Sequence, residues 1–327
     1  MKKLLTIVRI ILPVILLVFI ITKIDFPRLI EVYSKSNKLL LVLAFISFPL
    51  SYALFSLRWK IVLNMFGYKS ISYLRLLKTV YIGFFSGYFL PASVGIDIFR
   101  VVSLRKTKTT AVNIGLIFQE KLMGLLVCGF LIVCFSGLIK IEESSLYLQI
   151  RNVVYLILTL TLIILFVMLL FKKSKFVNRL MGMAEKRLSL LIKWFAMKFK
   201  KDVKLEDKFI RKVLHVSLLP KMILIVALFG LLNQFIGAVF SNVAFHAMGA
   251  NIPLSYNLFA NPLLNIIFLF PISFGGFGIR EGSYILVFGL LGVTSEISLL
   301  VSFVFLISTL INVAIGGLIL MFDKKLA

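Results

Sequence analysis

Of the 327 residues, 61% are hydrophobic, and 37 Lys and Arg stand against 13 Asp and Glu for a net charge of +24. So apolar a chain lacks the polar surface to coat a water-soluble globule, which excludes a soluble enzyme or binding module and makes the bilayer its solvent. The basic residues cluster between apolar stretches rather than along one soluble domain, so the excess charge points to anionic lipid and not to nucleic acid.

The first apolar segment, Leu4–Ile24, carries Lys2, Lys3 and Arg9 at its start, as a secretory leader would. The residues after it, Thr22-Lys23-Ile24-Asp25-Phe26-Pro27, offer no small-residue cleavage site, so the segment is expected to stay as the first span. A crossing helix needs about 20 mostly apolar residues. Five further stretches meet that need: Leu39–Leu57, Ala111–Ile139, Val153–Phe171, Met222–Met248 and Ile297–Phe322. Two others, Thr79–Asp97 and Tyr256–Gly292, are interrupted by Pro and Gly. Cys128 and Cys134 share one apolar stretch with no metal-like spacing, and both read as buried packing residues.

Lys and Arg in short loops mark the cytoplasmic side. Arg58, Lys60, Lys69, Arg75 and Lys78 follow the second span, and Arg100, Arg105, Lys106 and Lys108 follow the first broken stretch. Between Lys172 and Lys221, fifteen basic residues oppose Glu185, Asp202, Glu206 and Asp207, an excess of eleven. These loops are expected in the cytoplasm with both termini, whereas Lys140 to Arg151 and Gly249 to Ser255 carry no excess and face outward. Each broken stretch must then make an even number of passes, and a hairpin of two half-helices does so. Such backbone is tolerated at membrane depth where protein or a water-filled cavity surrounds it.

The broken stretches also resemble each other. Phe89-Leu90-Pro91-Ala92-Ser93-Val94-Gly95 precedes Asp97 and Arg100, and Leu269-Phe270-Pro271-Ile272-Ser273-Phe274-Gly275 precedes Arg280 and Glu281. Met65-Phe66-Gly67 before Ser72-Tyr73 matches Ala247-Met248-Gly249 before Ser255-Tyr256. The expectation is an all-α polytopic membrane protein of eight apolar segments, six full spans and two re-entrant helical hairpins. Residues 1–140 form one repeat and 150–322 a second of inverted topology, an arrangement typical of transporters. A plain kink at Pro in each of two ordinary spans is the alternative.

Charges within the apolar stretches are costly, which singles out Asp97, Arg100, Glu120, Lys121, Arg280 and Glu281. Gly95 and the run Gly275-Gly276-Phe277-Gly278 would free backbone N–H groups at the start of each returning half-helix, where the helix dipole favours an anion. Arg100 and Arg280 add donors suited to phosphate. The competing arrangement is structural, with Asp97 or Glu120 bridging to Arg100, and Glu281 to Arg280 or Lys121. Asn233, Gln234, Asn242, His246, Asn261 and Asn265 read as helix-bridging polar groups. The basic insertion 172–217 carries apolar residues at helical spacing between Phe176 and Lys201, which reads as an amphipathic helix on the anionic leaflet or a dock for a membrane enzyme. No phosphate-binding loop, zinc pattern or nucleophile set occurs, so no cofactor, metal or catalytic residue is expected.

Arg58-Trp59, the segment Leu90-Pro91 to Gly95, Asp97, Arg100, Glu120 with Gly124, and Gly275-Gly276-Phe277-Gly278-Ile279-Arg280-Glu281 resemble the flippase-like transmembrane domain of lysylphosphatidylglycerol synthases across essentially the whole chain. Ile96 stands where that family usually has a second Gly, and Lys121 where Arg is common. The resemblance implies movement of an anionic or aminoacylated phospholipid, or a lipid-linked precursor, between leaflets of a bacterial inner membrane. It marks Arg58, Ser93, Gly95, Asp97, Arg100, Glu120, Ser273, Gly275, Gly276, Gly278, Arg280 and Glu281 as substrate-binding. The chain ends five residues after Phe322, so the soluble aminoacyl-transfer domain is expected to be absent. An accessory subunit of a glycosyltransferase or lipid-modifying enzyme is the second expectation, and a homodimer is allowed.

Overall fold

The computed structural model describes residues 22, 25–88, 94–104, 110–138, 145–170, 213, 216, 219–269 and 278–323, the side chains of 94, 95, 98, 145–148, 150, 151 and 164–170 aside. All regular structure among them is helical. Helix α1, Phe26–Lys35, was not expected from the apolar pattern. Asp25 caps it, with Oδ1 accepting the Arg28 N–H at 3.2 Å. Pro27 in the first turn costs nothing, because its missing N–H would have no helical partner there. Leu29 and Val32 pack into the core while Phe26, Ile30 and Tyr33 remain exposed, so α1 has two apolar edges.

Among the described residues, four helices are long and apolar enough to cross a membrane. The first joins α2, Lys38–Ala44, to α3, Ser47–Met65; the others are α6, Thr110–Ser136, α8, Pro220–Ala247, and α11, Ser295–Phe322. They coincide with four of the six expected crossings. Of Val153–Phe171, residues 153–170 belong to α7, Ser145–Leu170, and Phe171 lies outside the described residues, as does Leu4–Ile24 apart from Thr22. One boundary is corrected: the second span does not end at Leu57 but continues to Met65, so Arg58 and Lys60 are helix residues and not loop charges.

The two stretches after α3 and α8 end alike. Gly67 and Gly249 adopt φ of 86° and 84°, conformations a side chain would disfavour. At each, the glycine N–H bonds the carbonyl three residues back and the next N–H reaches back five, as Gly67 to Asn64 and Tyr68 to Leu63, and as Gly249 to His246 and Ala250 to Phe245. Both are Schellman stops.

Beyond each stop lies a pair of short helices: α4, Tyr73–Tyr88, with α5, Val94–Ser103, and α9, Leu254–Phe268, with α10, Ile279–Gly289. The longest of these has 16 residues, about 24 Å at 1.5 Å per residue, against a hydrocarbon core of about 30 Å. The segments that join the members of each pair, 89–93 and 270–277, hold Pro91, Pro271, Gly275 and Gly276 and lie outside the described residues. Lys78 Nζ meets Asp323 Oδ2 at 2.8 Å, rooting α4 beside the end of α11. The second pair is rooted at the other end of α11, since α10 leads into its first turn. Near the first root, glycines allow close approach: a Cβ at Gly316 would strike the Tyr81 carbonyl, and one at Gly83 would press on Ile96 at 3.0 Å.

The α4–α5 pair packs in an apolar cluster with Trp59, Leu63, Leu116 and Met222, and the α9–α10 pair in another with Phe245, Phe305 and Ile132. Cys128 is buried there as expected, but Cys134 is exposed on α6, a correction that follows from its place on the helix's outer face. Of the basic insertion 172–217 only Val213 and Val216 are described, both against Gly115 on α6; its amphipathic stretch, including all of 172–212, lies outside the described residues.

Candidate functional site

Arg58 on α3, Asp97 and Arg100 on α5, and Glu120 and Lys121 on α6 converge on one charge network. Asp97 and Arg100 share a face of α5 through their three-residue spacing. Glu120 receives Arg58 Nη2 at 2.7 Å and both terminal nitrogens of Arg100 at 2.7 and 3.2 Å. Lys121 pairs with Asp97 at 3.1 Å, and Asp97 lies 3.8 Å from Arg100. The rings of Phe55 and Trp59 cover the Arg100 guanidinium at 4.6 and 4.7 Å, and Trp59 is held by its indole N–H bond to Asn113 Oδ1 at 2.9 Å. Buried charge persists only when its desolvation is offset by partners, and here Glu120 serves both arginines while Asp97 adds a longer contact to Arg100.

Arg58 and Arg100 differ in access. Arg100 is fully buried, while Arg58, Asp97, Glu120 and Lys121 line a cavity of about 460 Å³. Arg58 and Lys121 face the space, with Arg100 behind them. The structural pairing of Glu120 with Arg100 is present, and that of Glu281 with Lys121 is not.

On the second pair, Glu281 is buried, and its Oε2 accepts the Gly278 N–H at 2.6 Å. Gly278 takes φ 75° to permit this. The amide expected to meet an external anion is therefore occupied by the chain's own carboxylate. Glu281 forms no ion pair with Arg280 among the described residues, and Arg280 keeps a buried Nη1 without a partner. Arg280 lines a second cavity, of about 260 Å³, with Tyr284 at its side. Tyr88, at the end of α4, lies within electrostatic reach of Arg280 and Glu281, so the end of α4 approaches the start of α10. Gly95 sits in the first turn of α5; Ser93, Ser273, Gly275 and Gly276 lie outside the described residues.

The cavities share a wall of Phe48, Ser51, Asn233, Gln234 and Asn265. Asn265 donates to Gln234 Oε1 at 2.9 Å, and Gln234 donates to Cys128 Sγ at 3.0 Å, so these amides do bridge helices as expected. Asn242 and His246 instead bond the loop after α8, to the Ile252 carbonyl and to Asn251. Ser51 and Phe55 went unnoticed in the sequence. A serine two turns from Arg58 on the same face of an apolar helix was the available signal for the first.

A family model described as Lysylphosphatidylglycerol synthase TM region matches residues 5–317, and the chain belongs to that family. No curated protein and no solved structure matches it.

Proposed function

With that membership as premise, we propose that the protein passes the headgroup of an anionic phospholipid or lipid-linked precursor between the leaflets of a bacterial inner membrane while the tails stay in lipid. One observation carries the reading: two cavities, one faced by Arg58 and Lys121 and the other by Arg280, adjoin across a common polar wall. In this reading the halves 1–140 and 150–322 are inverted repeats with six crossings, the short helix pairs re-enter from opposite faces, and both termini are cytoplasmic. The matched stops at Gly67 and Gly249, the sub-membrane lengths of the paired helices and their roots at opposite ends of α11 support it.

Each residue then has a physical task. Lys121, with 46% of its side chain exposed, leaves Asp97 for phosphate at little cost, since such pairs contribute only about 0–1 kcal/mol. Arg58 retains a free Nε for the same phosphate. Arg280 receives it in the second cavity through its spare donor, and Glu281 holds the start of α10 in place. Purified protein in vesicles should speed the movement of acyl-labelled phosphatidylglycerol, and Arg280→Ala should slow that movement about tenfold or more, the cost of one lost charged contact. Equal rates for the two proteins would remove Arg280 from the path.

A further inference from the structure

Three side chains facing the cavities have no role in the ion pairs. Ser51 and Asn233 line both cavities and Asn261 lines the smaller. None of the three makes a hydrogen bond among the described residues, whereas the nearby Gln234, Asn265 and Ser241 are each engaged. Ser51 and Asn261 are half-buried and Asn233 is exposed; polar groups that bound an open cavity with hydrogen-bonding capacity in reserve are suited to a ligand.

We infer that Ser51, Asn233 and Asn261 form a hydroxyl-reading belt, and hence that the cargo is a phosphodiester lipid whose headgroup ends in free hydroxyl groups. The inference rests on the translocation reading and narrows its substrate. An amide presents both donors and an acceptor, and a serine hydroxyl presents both as well. A ligand hydroxyl, itself donor and acceptor, satisfies both sides of such a wall. A phosphate oxygen only accepts and leaves the amide carbonyls unmatched; an ammonium only donates and leaves the amide N–H groups unmatched. The ammonium also meets the wrong charge, because Arg58, Lys121 and Arg280 outnumber Asp97 and Glu120 along the two linings. The cations take the phosphate at either end and the neutral belt takes the hydroxyls between them. A belt without charge also gives a passing anion no deep trap midway. Glycerol and cyclic polyol headgroups share this chemistry.

The test uses the full chain in vesicles with four acyl-labelled lipids: phosphatidylglycerol, phosphatidylinositol, phosphatidic acid and phosphatidylethanolamine. The wild type should move at least one of the first two about tenfold faster than either of the others, because sites built to bond a hydroxyl discriminate strongly against analogues lacking it. A lead for phosphatidylinositol identifies a cyclic polyol and a lead for phosphatidylglycerol a glycerol; either supports the belt. In Ser51→Ala/Asn233→Leu the ratio should fall to about twofold or less, the expected consequence of losing two neutral hydrogen bonds. Asn261→Leu, on a different helix, should lower the ratio as well and serves if the double variant does not fold. Equal wild-type rates for phosphatidylglycerol, phosphatidylinositol and phosphatidic acid overturn the inference, as does an undiminished ratio in a folded variant. Should no lipid move at all, the translocation reading fails on its own. Competition between phosphatidylinositol, phosphatidylglycerol and phosphatidic acid for the detergent-purified wild type then decides the belt, and equal affinities overturn it.

Discussion

The two short helix pairs begin with similar sequences and end as different devices. In α4–α5 three of the four charged side chains are tied to another element, Arg100 to Glu120, Asp97 to Lys121 and Lys78 to Asp323, and Arg58 on α3 joins Arg100 at Glu120. In α9–α10 the acid turns back onto its own helix start and the arginine beside it keeps a spare donor. Corresponding residues are thus paired across elements on one side and keep a spare donor on the other, so a shared motif does not guarantee a shared arrangement.

Removing Glu120 tests that contrast most severely. Glu120→Ala leaves Arg58 without its carboxylate and Arg100 with only the more distant Asp97, and should cost about 3–5 kcal/mol, read as a large fall in thermal unfolding midpoint in detergent. Glu281→Ala removes only a helix-start bond and should cost about 1 kcal/mol; equal losses would erase the distinction between the pairs. Next in size, Gly316→Leu drives a side chain into the Tyr81 backbone and should destabilise by about 1–3 kcal/mol, whereas Gly237, beside which a Cβ meets nothing within 4 Å, should accept Leu without loss of stability. The smallest effect belongs to Lys121→Met. Its partly exposed ion pair should give up no more than about 1 kcal/mol of stability, while affinity for anionic vesicles falls, since the cation faces the cavity.

Much of this was legible beforehand, because apolar length and breaks at Pro and Gly are local properties. The four long helices and the two interrupted segments follow from them. Arg58 was misplaced because a charge ends an apolar run in one dimension; its neutralisation by Glu120, on a helix 62 positions further along, exists only in three. Arg100 was identified as special, but its burial was not legible, since nothing local shows that Phe55 and Trp59 close over it. Helix α1 was legible and overlooked: Asp25 before Phe26-Pro27, with Leu29, Val32 and Tyr33 at helical spacing, is a start signal followed by an apolar stripe. The amides were read as bridges, which holds for Gln234 and Asn265 and not for Asn233, whose neighbours only the packing of α3 against α8 reveals.

Glu120 serves two masters, and that has a consequence for any anion entering the larger cavity. An incoming phosphate that wins Arg58 does not strand the carboxylate, which keeps both its contacts with Arg100. The displaced charge stays compensated throughout, so the exchange proceeds as a substitution at one arm of a three-member relay, with the second arm acting as its anchor.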